Sequence, residues 1–138
     1  MAAYLRNVEN RPRVDWDEWA IAKNVSKGGA FKVGNEIAGM PIVRIKQGTN
    51  GKYIVIGRNM EDRVIPAARA INAEHWTGFN SALSEAENIA NNRIWLKSKL
   101  MEGHTAIDIG LDPKFVNTGN LDPGPYYSME LFEVFGIR

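Results

Sequence analysis

Between Ser84 and Leu111 two kinds of hydrophobic period meet at one glycine, and that junction limits the fold more than any other stretch of the chain. Ser84 followed by Glu87 has the form of a capping box, in which each partner satisfies a backbone N–H left open at a helix start. Ile89, Leu96 and Leu100 keep one apolar face at helical spacing, and Gly103 falls where a left-handed C-cap belongs. This spacing predicts a helix over residues 85–102. The residues that follow, "HTAIDIGL" (104–111), alternate: Thr105, Ile107 and Ile109 share one parity, His104, Ala106 and Asp108 the other. That is the period of a half-buried strand.

Punctuation organises the rest. "DWDEWAIAKNV" (15–25) places Trp16, Trp19, Ala20 and Lys23 at helical spacing behind an acidic first turn, and "SKGG" closes it, so a short amphipathic helix is expected. "MPIVRIKQ" (40–47) reads as a strand, "GTNG" (48–51) as a turn, and "KYIVIG" (52–57) as the clearest strand of all. The two strands are expected to form a hairpin. "RNMEDRVIPAARAINA" suits a helix in which Pro66 occupies a first turn. The Pro- and Gly-rich 112–125 reads as a loop, and "YYSMELFEVFG" as a final strand or helix.

At 138 residues one domain is expected, able to bury about two thirds of the surface its unfolded chain exposes. The seventeen Lys and Arg against sixteen Asp and Glu leave a net charge of +1, too little to hold nucleic acid by bulk charge, so such a contact needs a local basic patch. The absence of cysteine excludes disulfides and thiolate metal sites. No apolar run reaches membrane-spanning length and "MAAYLRNVENRPR" lacks the apolar core of a signal peptide, so a soluble domain is expected, with any export signal outside it.

Several chemistries are missing by residue type: there is no Walker loop, G-x-G-x-x-G, H-E-x-x-H or nucleophile elbow. With two histidines and no cysteine a structural zinc site is disfavoured, and neither "IDIGLDP" nor "YYSMEL" supplies the lysine of a restriction-type nuclease. No metal and no cofactor is expected. Metal-free chemistry from His, Arg, Lys, Tyr and carboxylates is left. Cleavage of RNA at a 2′-hydroxyl needs a base near neutral pH, an acid for the leaving oxygen and a cation for the phosphorane charge.

His104 or His75 suits the base and the other the acid, with Arg58, Lys97 or Lys99 as cation. Each has a plainer reading. A histidine behind a helix C-terminal glycine is also a favourable charge at the negative end of the dipole, and His75 beside Trp76 is more often exposed or stacked. Arg58 ends a strand, free to clamp a phosphate bidentately or to pair with Glu61 or Asp62. Asp108, alternating with isoleucines, faces solvent on an edge strand or is held in a site, depending on whether both sheet faces are covered. Glu130, flanked by Tyr126, Tyr127 and Met129, has an amphipathic neighbourhood that would raise its pKa, or lies on a helix surface.

The succession "VIGRNMEDRV", "NNRIWLKSKLMEGHTAIDIGLD" and "GPYYSMEL" resembles a group of C-terminal toxin domains of bacterial polymorphic toxins, of the Rhs and contact-dependent inhibition type. The group shows an IGR/IGK-N-M start, an N-R-x-W-[IL] helix, an I-D-I-G strand and an F/Y-Y-x-M-E end; the likeness covers about residues 52–133. The matching residues include Gly57, Arg58, Asn59, Met60, Asn92, Arg93, Trp95, Asp108, Gly110, Tyr127 and Glu130. The pattern varies where His104 stands, which moves weight toward Arg58, Asp108 and Glu130. The resemblance implies a secreted or delivered effector, carried by a larger protein, acting in the target-cell cytoplasm and neutralised by a cognate immunity protein. Many such domains act on RNA.

The expectation is therefore one α+β domain with a small, mainly antiparallel central sheet and helices packed on one face, residues 1–50 forming a leading helical and hairpin portion and 52–133 the toxin-like core. Its function is expected to be a metal-independent ribonuclease. Arg58, His104, Asp108 and Glu130 are the catalytic candidates, and Lys52, Lys97, Lys99 and Tyr127 the substrate-binding ones. An ADP-ribosyltransferase, which also orders an early Arg and a late Glu but needs a Ser-x-Ser-like strand missing here, is the enzymatic alternative, and a non-enzymatic binding module the second.

Overall fold

The computed structural model describes residues 31–137, which form a single α+β domain. The helix expected over 15–25 lies outside the described residues. A small antiparallel hairpin comes first, β1 (Glu36–Ile37) and β2 (Met40–Pro41). Ala38 and Gly39 join them with positive φ at both positions, as a type I′ turn requires. A three-stranded sheet follows, built from β3 (Arg44–Lys46), β4 (Tyr53–Ile56) and β5 (Thr105–Asp108), in the order β3–β5–β4. β5 is antiparallel to β3 and parallel to β4.

The expected hairpin between 40–47 and 52–57 is therefore replaced: β5 inserts between the two strands. The intervening turn grips the start of β5 instead. Thr49 and Asn50 donate their backbone N–H groups to the Gly103 carbonyl, and Gly48 N–H donates to Thr105 Oγ1 at 2.9 Å. Burial agrees with the edge position of β3, which is half-exposed, whereas β4 and β5 are both buried at every residue. The outer edge of β4 is covered by Glu74, whose backbone bonds to Tyr53 and Val55.

Both faces of the sheet are covered. α1 (Ile65–Ala70) continues from a π-helical turn at Met60–Val64, with Pro66 in its first turn where a missing N–H is tolerated. Val64, Ala67 and Ala68 pack there on Tyr53, Val55 and Ile107. α2 (Glu85–Glu102) and α4 (Gly124–Phe135) cover the opposite face, where Leu96, Met129 and Val134 meet Ile54, Ile56 and Ala106. α2 has both parts of its capping box, and Gly103 closes it at φ 98°. A short helix α3 (Pro113–Val116), capped by Asp112, interrupts the loop expected over 112–125. "YYSMELFEVFG" resolves as a helix. No helix of the described residues is long and apolar enough to cross a membrane.

Candidate active site

β4 and β5 run parallel, and the chain leaving their carboxyl ends builds the site, the position where ligands gather in sheets of this kind. The two exits are tied together. Arg58 N–H donates to the Gly110 carbonyl at 3.0 Å, and the buried Arg63 guanidinium donates to the carbonyls of Arg58, Ile109 and Gly110 at 3.1, 2.7 and 2.9 Å. Asn59, at φ 75°, caps the π-helical turn through Asp62 N–H and donates to Asp112 Oδ2 at 2.9 Å. Gly57 is required by close approach, because a Cβ there would stand 2.6 Å from Ile109 Cγ1.

A cavity of about 510 Å³ opens beside these exits, within the range that takes a small organic ligand. Arg58, Tyr127 and Glu130 line it, together with His75, Trp76 and Asn92. The Arg58 guanidinium lies 5.1 Å from the centre of the Phe115 ring on α3. Its Nε is buried without a hydrogen-bond partner among the described residues, and no carboxylate pairs with it there. The pairing with Glu61 or Asp62 weighed from the sequence is not formed.

Behind the cavity wall sits Asp108, fully buried on the α2–α4 face of the sheet. Its carboxylate accepts from Arg44 Nη1 at 2.9 Å, Tyr127 Oη at 2.7 Å and Gly110 N–H at 2.8 Å. Covering both faces has thus made Asp108 an internal anchor for Tyr127. Burial, then the neighbouring Asp108 charge, holds the Tyr127 phenol far above its ordinary pKa, so it is a hydrogen-bond donor at neutral pH.

Glu130 is 4% exposed and accepts from Asn92 Nδ2 at 3.1 Å. Burial pushes its pKa up to about 8, with the charge of Asp108 adding to the rise and the bonds from Asn92 and the Gly57 N–H opposing it. The result is a carboxylic acid that is largely protonated at neutral pH, a state suited to delivering a proton. Asn92 Oδ1 is buried without a partner among the described residues.

The remaining candidates stand elsewhere. His104 precedes β5, about 13 Å along the strand from Asp108 at its far end. It is 2% exposed, with Nε2 2.9 Å from Glu74 Oε2 and Nδ1 3.0 Å from Asn50 Nδ2. Lys99 pairs with the same Glu74 at 2.7 Å, and Lys97 pairs with Glu133 on α4 at 3.7 Å. Lys52 is exposed before β4, also at the far end of the sheet. None of these four lines the cavity; His75 does. Arg63 and Arg44 escaped sequence reasoning, and Asn92 entered it as a residue of the resembled pattern without a role. For Asn92 a signal existed: Asn88, Asn92 and Leu96 repeat at four-residue spacing and all are buried.

Among the described residues, no group of three or more histidines and carboxylates converges as metal ligands do. Comparison with protein-family models, curated proteins and solved structures found no match.

Proposed function

We propose that this chain is an antibacterial effector toxin domain, a metal-independent ribonuclease that cleaves RNA in the cytoplasm of a target cell and is neutralised by a cognate immunity protein. One observation carries the reading: Arg58, whose guanidinium has no carboxylate partner among the described residues, and the buried Glu130, whose pKa burial raises, line the same cavity. Arg58 supplies the cation for the phosphate oxygens. Glu130 is the acid, and His75 takes the place of His104 as the base.

In this scheme the His75 imidazole accepts the 2′-hydroxyl proton as the 2′-oxygen bonds to phosphorus. The bond to the 5′-oxygen breaks, and Glu130 gives that oxygen its proton. The products are a 2′,3′-cyclic phosphate and a 5′-hydroxyl end. The resemblance in "VIGRNMEDRV", "NNRIWLKSKL" and "GPYYSMEL" supports delivery by a larger carrier protein. An ADP-ribosyltransferase would use the same Arg58 and Glu130, but it needs an ionised glutamate to accept from a ribose hydroxyl, and burial favours the neutral form here.

Purified domain is incubated with total cellular RNA in EDTA, beside a reaction with labelled NAD and cell lysate. Fragmentation in EDTA is the expected outcome. Label transfer without fragmentation would establish the transferase instead, and neither would leave a binding module.

A further inference from the structure

Resting on the ribonuclease reading, the chemistry of the cavity wall narrows the substrate. The wall also holds Glu61, Met60 and Ile65, and one stretch of it is aromatic. Trp76, 8% exposed, and Tyr126 lie with ring centres 6.0 Å apart and planes tilted by 30°, and both line the cavity. Phe79, in the loop before α2, lines the same cavity and is 62% exposed, so its ring is open to a ligand there. Aromatic rings beside a guanidinium that no carboxylate pairs among the described residues match a planar base joined to a phosphate.

Charge then separates single strands from duplexes. Double-stranded RNA hides its base faces and is held by phosphate and 2′-hydroxyl contacts across its grooves, which calls for many cations. This chain has a net charge of +1, and two lysines on α2, Lys97 and Lys99, are engaged by Glu133 and Glu74. Stacking of an unstacked base needs no such array, because every base has an apolar face.

We infer that the cavity receives one unstacked base of a single-stranded RNA against Trp76, Tyr126 and Phe79, with its adjoining phosphate on Arg58. The chain is thereby a reader of single strands, and paired RNA is excluded because its bases are not available to the wall.

The test uses the full chain and a fluorescent 2′-fluoro RNA hexamer, which lacks the attacking hydroxyl and so separates binding from cleavage. Anisotropy is measured for the single strand and for the same strand in a duplex, across a salt series. The expected results are at least ten-fold weaker binding of the duplex and a slope of log affinity against log salt near −0.7, that of about one phosphate contact. Phe79→Ala, at an exposed position, should weaken the single strand at least five-fold, and Phe79→Trp should restore it. Equal affinity for duplex and single strand, no binding of the strand, indifference to Phe79→Ala, or a slope of about −3 or steeper would each overturn the inference. Selective strand binding without RNA cleavage in EDTA would sink the ribonuclease reading and leave this one standing; cleavage with equal duplex binding would do the reverse.

Discussion

Tyr127 reaches from α4 to the end of β5 and donates its hydroxyl to Asp108 at 2.7 Å, joining the helix that holds Glu130 to the strand whose exit loop supports Arg58. Asp108 has two further donors, Arg44 and Gly110. Tyr127→Phe therefore removes one of three bonds to a buried carboxylate, and the expected cost is about 1–3 kcal/mol in urea unfolding. Asp108→Asn, which removes the charge that Arg44 faces, is expected to cost more than the tyrosine change.

Glu130 makes stability depend on pH in a definite direction. Its folded pKa of about 8 lies above the ordinary 4.5, so the folded state binds the extra proton between those values. The stabilisation is fully present below about pH 4.5 and is lost as pH rises through about 8. Glu130→Gln keeps the shape and cannot ionise. Relative to this variant, the parent chain should lose on the order of a few kcal/mol between pH 5 and pH 9, read from denaturant midpoints across the range. Parallel pH profiles for the two proteins would contradict the protonated state of Glu130.

Arg58 and Arg63 stand five residues apart and should behave oppositely. Arg63 is 6% exposed and satisfies three carbonyls at the strand exits. Arg63→Met removes the side-chain donor from all three, leaving Gly110 only the Arg58 N–H, and a loss of about 2 kcal/mol or more is expected. Arg58 has no carboxylate partner among the described residues, so Arg58→Ala should change the unfolding midpoint little while abolishing RNA cleavage. Thermal melts of the two variants side by side make the comparison.

The ends of α2 offer a local check. Ser84→Ala removes the Oγ that accepts from Glu87 N–H while leaving the backbone half of the capping box, for an expected loss of about 1 kcal/mol. Gly103→Ala should cost more, since its φ is 98° and a Cβ would come 2.7 Å from Thr49 Oγ1, in the turn that grips β5.

These same residues show where sequence reasoning succeeds. Ser84, Glu87 and Gly103 are local signals acting within a few residues, and the helix they delimit runs over Glu85–Glu102 as its spacing predicts. The strand order was not legible, because adjacency in sequence suggests that β3 and β4 pair, whereas the fully buried β5 takes the place between them. Arg58, Tyr127 and Glu130 were readable as chemically able residues at element ends. Their common cavity was not, since it depends on long-range packing of α4 against the exits of β4 and β5. Asn92 belongs to the resembled pattern, but its role shows only when Glu130 is placed opposite it.

The most direct measurement is the rate of RNA cleavage in EDTA by the parent chain, Arg58→Ala and Glu130→Gln, each first shown to be folded by circular dichroism and thermal melting. The expected result is clear cleavage by the parent and a fall of at least a hundred-fold in both variants with the fold retained. Folded variants that cleave as fast as the parent would contradict the assignment of cation and acid to this cavity.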